Sequence, residues 1–292
     1  MKQSQAIRRL GLVFFVLLLL IVATPAVSAK DGDSKFATLN GAKIHYQSWG
    51  EGSDAFVLVH GWSSNLEAWR YQIPELAKRG RVIALDLPGH GKSDKPDLVY
   101  SMDHFAAAVD AVMRDAKVEH AVLLGHSMGT PVVRQFYRKY PKKTLALVIV
   151  DGGLRPFGDK AIREQFLGAI KSDKYMDFAK PMFAQMAGML PADDQALVTS
   201  SFTNTPQKVL VSAAESMSDE SLYGNDKINV PVLAILAKSP VWPPDTEEFL
   251  RGLAPDLQFL MLEGVDHFLH QEKRKEFNDA VVAFVNKKNL LK

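Results

Sequence analysis

The sequence predicts an α/β fold: a doubly wound, mostly parallel sheet interrupted by a helical insertion. Three observations predict it. Short continuous apolar runs at residues 55–60, 81–86, 120–124 and 146–151 suit strands buried on both faces. Amphipathic segments alternate with these runs, as the crossover helices of a parallel sheet require. From Gly152 to about Asn229 the β-branched runs stop and the chain reads as helices alone, before the strand–helix rhythm resumes at Val232.

The first residues stand apart from this pattern. Lys2, Arg8 and Arg9 precede an unbroken apolar run from Leu10 to Ala23, which is shorter than the ~20 residues that span a bilayer. Thr24-Pro25 breaks the run, and Val27-Ser28-Ala29 supplies small residues where a signal peptidase reads. Residues 1–29 are therefore expected to be a cleavable Sec-type signal, cut after Ala29, that sends the protein to the periplasm or the medium. An uncleaved anchor is the alternative. After cleavage no stable membrane span is expected.

Within residues 30–292, Asn40-Gly41 between apolar flanks predicts a hairpin, because both turn residues tolerate positive φ. Residues 66–77 read as a helix, and Ser101 can cap another that runs to about Ala116, with Phe105, Val109 and Val112 on one face. Residues 128–140 follow as a helix. Inside the insertion, residues 161–170, 176–190 and 207–217 look helical, and five of the chain's ten Met residues fall there. A strand at 232–236, a helix at 246–253, a strand at 257–262 and a last helix at 271–288 complete the chain. The expected division is a core of residues 30–151 and 230–292 with a cap at 152–229.

Composition narrows the chemistry. With no Cys, thiol nucleophiles and thiolate metal sites are excluded. A net charge of +2 with interspersed signs offers no basic stripe, so nucleic acid is not an expected partner. A small-molecule substrate is.

Gly125-His126-Ser127-Met128-Gly129 falls between a predicted strand and a predicted helix. In that setting a G-x-S-x-G run is a nucleophile elbow, whose sharp turn points the serine hydroxyl away from the sheet. His60-Gly61-Trp62 ends an earlier strand, where a second backbone donor is needed. The Trp62 and Met128 amides are the candidate oxyanion donors, worth about 3–4 kcal/mol each. His267 follows the last predicted strand and is the candidate base. His270, one turn on, is expected at the surface, and His126 is expected to be a packing and hydrogen-bonding residue. For the acid, two residues qualify: Asp151, which directly ends its strand, and Asp245, beyond the Pro240–Pro244 loop. Asp151 is favoured because its direction is fixed by the strand. Phe166, Phe178, Met182, Phe183 and Met186 are candidates to line an apolar substrate pocket. This chemistry requires neither a metal nor an organic cofactor.

These pieces, together with Asp86-Leu87-Pro88-Gly89-His90-Gly91-Lys92-Ser93-Asp94 and Asp266-His267, resemble the α/β-hydrolase superfamily over residues 38–288. The resemblance is to the branch holding esterases, cofactor-free haloperoxidases, C–C bond hydrolases and haloalkane dehalogenases. It implies that the strand before Ser127 is the fifth, that the insertion is a lid, and that the Asp-nucleophile dehalogenases and epoxide hydrolases are excluded. It also implies that the acid can follow the sixth strand, where Asp151 stands. The expected reaction is cleavage of a carboxylic ester through an acyl-enzyme. A C–C hydrolase or a perhydrolase using the same residues is the alternative, with a peptidase and a non-enzymatic ligand receptor as further ones.

Overall fold

A computed structural model describes residues 32–291; the signal-like segment expected at residues 1–29 lies outside them. Eight strands form one sheet in the order β1-β2-β4-β3-β5-β6-β7-β8. They are β1 (Asp33–Leu39), β2 (Ala42–Trp49), β3 (Asp54–Val59), β4 (Arg81–Leu85), β5 (His120–His126), β6 (Thr144–Val150), β7 (Val232–Ala237) and β8 (Leu257–Leu262). β1 and β2 form the expected hairpin, with Asn40 at φ 50° and Gly41 at φ 85°. β2 also pairs antiparallel with β4, and the remaining pairs are parallel.

Alternation along the strands builds two cores. On β3, Ala55, Val57 and Val59 face one side while Phe56 and Leu58 face the other, and on β5 Ala121 and Leu123 oppose Val122 and Leu124. Both sets are fully buried, which is why these strands read as continuous apolar runs. The first side is covered by α2 (Met102–Asp115), α3 (Gly129–Lys139) and α8 (Thr246–Leu253). The second is covered by α1 (Ile73–Leu76) and α10 (Arg274–Lys288) through Ile73, Leu76, Phe277, Val281 and Phe284. Ser101 caps α2 by accepting from the His104 amide.

The helices differ from expectation in three details. Residues 66–77 split into a 3-10 turn, Leu66–Trp69, and the short α1. Asn65 caps the turn by accepting from the Glu67 amide, and Pro74 in the first turn of α1 has no N–H to continue it. The last helix divides at Lys273 into α9 (Leu269–Glu272) and α10. Between β6 and β7 lie four longer helices, not three: α4 (Lys160–Lys171), α5 (Tyr175–Met186), α6 (Ala192–Thr203) and α7 (Gln207–Ser218). α6 carries no apolar stripe to announce it, since Asp194 and Phe202 are its buried residues.

Hydrogen bonds tie this insertion to the sheet domain. The Tyr100 amide donates to Ser212 Oγ (2.8 Å), and the Met102 amide to Ser216 Oγ (3.0 Å). Asn65 Nδ2 donates to Ser201 Oγ (2.8 Å), and Arg70 pairs with the buried Asp194. Among the described residues no helix is long and apolar enough to cross a membrane.

Candidate active site

Ser127 directly follows β5 and sits at φ 53°, a left-handed conformation that costs an ordinary side chain about 1 kcal/mol or more. The surrounding backbone holds it there. Its amide donates to the Val150 carbonyl (2.9 Å), and its carbonyl accepts from the Thr130 amide (2.9 Å). Three glycines make the turn possible by close approach. A Cβ at Gly125 would fall on the Gly129 carbonyl, one at Gly129 on the Val59 carbonyl, and one at Gly152 on the Thr130 side chain. The G-x-S-x-G run thus packs against β3 and against the chain leaving β6.

The loop after β3 runs beside the serine. A Cβ at Gly61 would lie 3.1 Å from Ser127 Cβ and 3.2 Å from His126 Nδ1. Trp62 follows, and among the described residues neither its amide nor that of Met128 donates to a backbone or side-chain acceptor. The Trp62 indole is committed elsewhere, donating to the Leu210 carbonyl of α7 (2.9 Å).

Asp151, directly after β6, is also held at positive φ, 41°. Its amide donates to the Ile235 carbonyl (2.9 Å), which fixes the turn against β7. The carboxylate is buried and fully engaged. Oδ1 accepts from the Ala237 amide (2.8 Å) and the Trp242 indole (3.2 Å), and Oδ2 lies 2.7 Å from His267 Nδ1. With Nδ1 donating its hydrogen to the Asp151 carboxyl oxygen, Nε2 is left as the acceptor. Asp245 is elsewhere: its side chain is largely exposed and forms a two-pronged pair with Arg155 (2.7 and 3.0 Å). The structure therefore brings Asp151 to His267 and leaves Asp245 at the surface. Sequence reasoning missed Trp242, which lies in the Pro-flanked loop where only a carboxylate was sought.

His267 is tied to the elbow through the residue before Ser127. His126 Nε2–H donates to the His267 carbonyl (2.9 Å), and the two rings lie 4.7 Å apart. His270 is not at the surface, contrary to expectation. It is fully buried, 4.9 Å from the Trp69 ring and 4.5 Å from that of His126, because the short α9 turns it inward under the 3-10 turn. Burial pushes His270 down to about 3, with the neighbouring His267 adding to the effect. Burial, then His270 and His267, holds His126 well below the ordinary imidazole range. Both stay neutral beside His267. Glu272, which accepts from the Asp266 amide (2.7 Å), is raised chiefly by burial.

The insertion places the expected pocket residues around Trp62 unevenly. Phe183 stacks on the indole (5.8 Å) and Phe166 meets it edge-on (5.5 Å), while Met182 packs in the same cluster. Met186 packs instead with Leu190 and Phe268, the neighbour of His267. Phe178 touches Phe166 (6.0 Å) but is 39% exposed, so it stands at the outer end of the aromatic row. No group of three or more His, Asp or Glu side chains is arranged to hold a metal ion among the described residues.

Comparisons with known proteins place the fold. The family model for the α/β hydrolase fold matches residues 54–216, more than half of the chain. A dihydrolipoyllysine-residue acetyltransferase component of the acetoin cleaving system from Pseudomonas putida is 29% identical over 253 residues, covering 83% of this chain. The chain spans 66% of that protein's length, just under two thirds. Among solved structures, Est816, described as an N-acyl homoserine lactone degrading enzyme, superposes with a TM-score of 0.74 at 25% identity, covering 86% of this chain and all of that one. A bromoperoxidase from Bacillus anthracis gives a TM-score of 0.78 at 23% identity, over 87% of this chain and 99% of that one, a likeness of fold. With the family model spanning both β3 and the Ser127 elbow, this chain belongs to the α/β hydrolase family.

Proposed function

We propose that the protein is a serine hydrolase that cleaves carboxylic esters with small to medium apolar acyl or alcohol groups. The observation that carries this reading is the His267–Asp151 pair at 2.7 Å, linked by the His126–His267 bond to an elbow that holds Ser127 at positive φ. Ser127 Oγ attacks the ester carbonyl carbon while His267 Nε2 takes its proton. The Trp62 and Met128 amides receive the oxyanion, and the protonated imidazole, stabilised by Asp151, returns the proton to the departing alcohol. Water activated by the same imidazole then releases the acid. The insertion acts as a lid, with Trp62, Phe166, Met182 and Phe183 offering the apolar side of the pocket and Phe178 and Met186 its ends.

The test is hydrolysis of a p-nitrophenyl ester chain-length series by the wild type and by Ser127→Ala. Activity that vanishes in the variant supports acyl transfer through Ser127, and an optimum that shifts to longer chains in Phe183→Ala assigns the pocket. Well-folded wild type without ester turnover would sink the reading.

A second reading uses the same residues with hydrogen peroxide in place of water, giving a peracid from the acyl-serine. The bromoperoxidase likeness of fold motivates it, and a halogenation assay with peroxide and acetate separates the two. Export is a companion proposal, resting on the apolar run Leu10 to Ala23 and the small residues before Lys30. Intact mass of protein from the periplasm or medium should begin at Lys30; full-length protein retained in the membrane fraction would favour an anchor.

A further inference from the structure

A second serine–histidine–aspartate relay lies outside the Ser127 site. Ser34 Oγ is 2.9 Å from His45 Nε2, and His45 Nδ1 is 2.8 Å from Asp86 Oδ2. His45 is 1% and Asp86 2% exposed, so two buried titratable groups stand here without a part in the Ser127 reaction. Ser34 itself is exposed on β1, the edge strand of the sheet. The hairpin register sets Ser34 opposite Gln47 and Phe36 opposite His45, which makes Ser34 and His45 diagonal neighbours on one face.

The imidazole is held in one orientation and one tautomer. Burial alone would raise the Asp86 carboxyl, but the His45 bond, the neighbouring His60 and the amides of Lys92 (2.9 Å) and Leu66 (2.8 Å) outweigh it and hold Asp86 below the usual carboxylate range. An ionised Asp86 demands the hydrogen on His45 Nδ1, so Nε2 presents its lone pair to the Ser34 hydroxyl. The His45 backbone is pinned as well: its amide donates to Ser93 Oγ (2.8 Å), and its carbonyl accepts from the Asp86 amide (2.9 Å). Phe36, 48% exposed with its ring 5.2 Å from that of His45, adds an apolar wall beside the hydroxyl. A base of fixed tautomer facing a hydroxyl is the arrangement that activates a serine.

We propose that Ser34 is a second nucleophile, which accepts acyl or phosphonyl groups from activated esters and fluorophosphonates independently of Ser127. In the acyl case Ser34 Oγ bonds to the carbonyl carbon as the ester C–O bond breaks, and the hydroxyl proton passes to His45 Nε2 and from there to the departing phenoxide. In the phosphonyl case Ser34 Oγ bonds to phosphorus as the P–F bond breaks, and fluoride leaves with the hydroxyl proton taken up by His45 Nε2. No oxidation or reduction occurs in either. General-base assistance is the main gain at so open a position, about 10²-fold over an unassisted exposed serine.

The test uses full-length Ser127→Ala treated with p-nitrophenyl acetate and, separately, with a fluorophosphonate, followed by peptide mapping by mass spectrometry. Ser34 is expected to be labelled about 10²-fold faster than exposed Ser53. The adduct disappears in Ser34→Ala and slows by about tenfold or more in His45→Gln. Because the His45 substitution can disturb the hairpin, the pH course of labelling in the Ser127→Ala protein is the second measure. A relay levels off once the imidazole is neutral, whereas an unassisted hydroxyl keeps accelerating with hydroxide. Labelling no faster than at Ser53, or a rate that never levels, overturns the proposal. Ser127 is absent from the test protein, so neither outcome bears on the ester-hydrolase reading.

Discussion

Trp242 donates its indole N–H to Asp151 Oδ1 (3.2 Å) while Oδ2 of the same carboxylate faces His267 Nδ1 (2.7 Å). The Ala237 amide, at the end of β7, donates to Oδ1 as well (2.8 Å). The end of β7 and the loop that follows it therefore each contribute a donor to a carboxylate held at the end of β6. The loop's own segment, Lys238-Ser239-Pro240, holds no acid, and the neighbouring strand supplies one that the loop then orients.

Asp151→Asn is expected to lower kcat on the order of 10⁴-fold with little change in KM, because an amide can face His267 Nδ1 with its NH₂ and select the wrong tautomer. Asp245→Asn removes only an exposed pairing with Arg155 and should leave kcat within about twofold, as an exposed ion pair contributes little. Steady-state kinetics on both variants decide the matter; the reverse ranking would move the acid to Asp245.

Trp242→Phe keeps the ring and deletes the donor. Asp151 Oδ1 retains the Ala237 amide, so the loss should be partial: about 1 kcal/mol, or roughly three- to tenfold in kcat. Trp242→Ala, which also removes packing, should cost more. Equal kcat in wild type and Trp242→Phe would show that the indole bond does not tune the carboxylate.

The elbow and the placing of His267 beside it were legible because each rests on local pattern: Gly125-His126-Ser127-Met128-Gly129 between strand and helix, and His267 after the last strand. The acid left two options because chain order alone does not say which side chain a turn aims inward. The difference lies in three dimensions, in the positive φ of Asp151 and in the Arg155 that holds Asp245 outside. Trp242 and the burial of His270 depend on partners far away in sequence, Asp151 and Trp69, and carry no periodic signature. The same holds for Ser34, His45 and Asp86, which three separate elements bring together. α6 escaped notice because Phe202 is its one fully buried apolar side chain.

Two glycine substitutions should act in opposite directions. Gly129→Ala places a Cβ against the backbone carbonyls of Val59 and His60, which no side-chain motion can relieve. It should destabilise by about 3 kcal/mol or more and abolish turnover. Gly168 lies within α4 with nothing near its would-be Cβ, so Gly168→Ala should stabilise by about 0.5–1 kcal/mol. Urea unfolding of the two variants reads both signs, and a fully stable, active Gly129→Ala would refute the close-packed elbow.

The buried histidines predict acid sensitivity. His270 is pushed down to about 3 by burial and by His267, and His90 to about 3 by burial and by His60, while an unfolded chain protonates its histidines near 6.5. Below that value the unfolded state binds more protons than the folded one, so the stability present above pH 6.5 is lost as the pH falls toward 3. At pH 5 each such histidine lowers stability by about 2 kcal/mol relative to pH 8. His270→Phe keeps an aromatic ring against Trp69 and removes one titrating group. Its unfolding free energy, measured in urea at pH 8 and pH 5, should fall by about 2 kcal/mol less than that of the wild type. The comparison is between slopes, so it survives any change in absolute stability from the substitution. Equal losses in the two proteins would mean that His270 is protonated, or exposed to solvent, in the folded state.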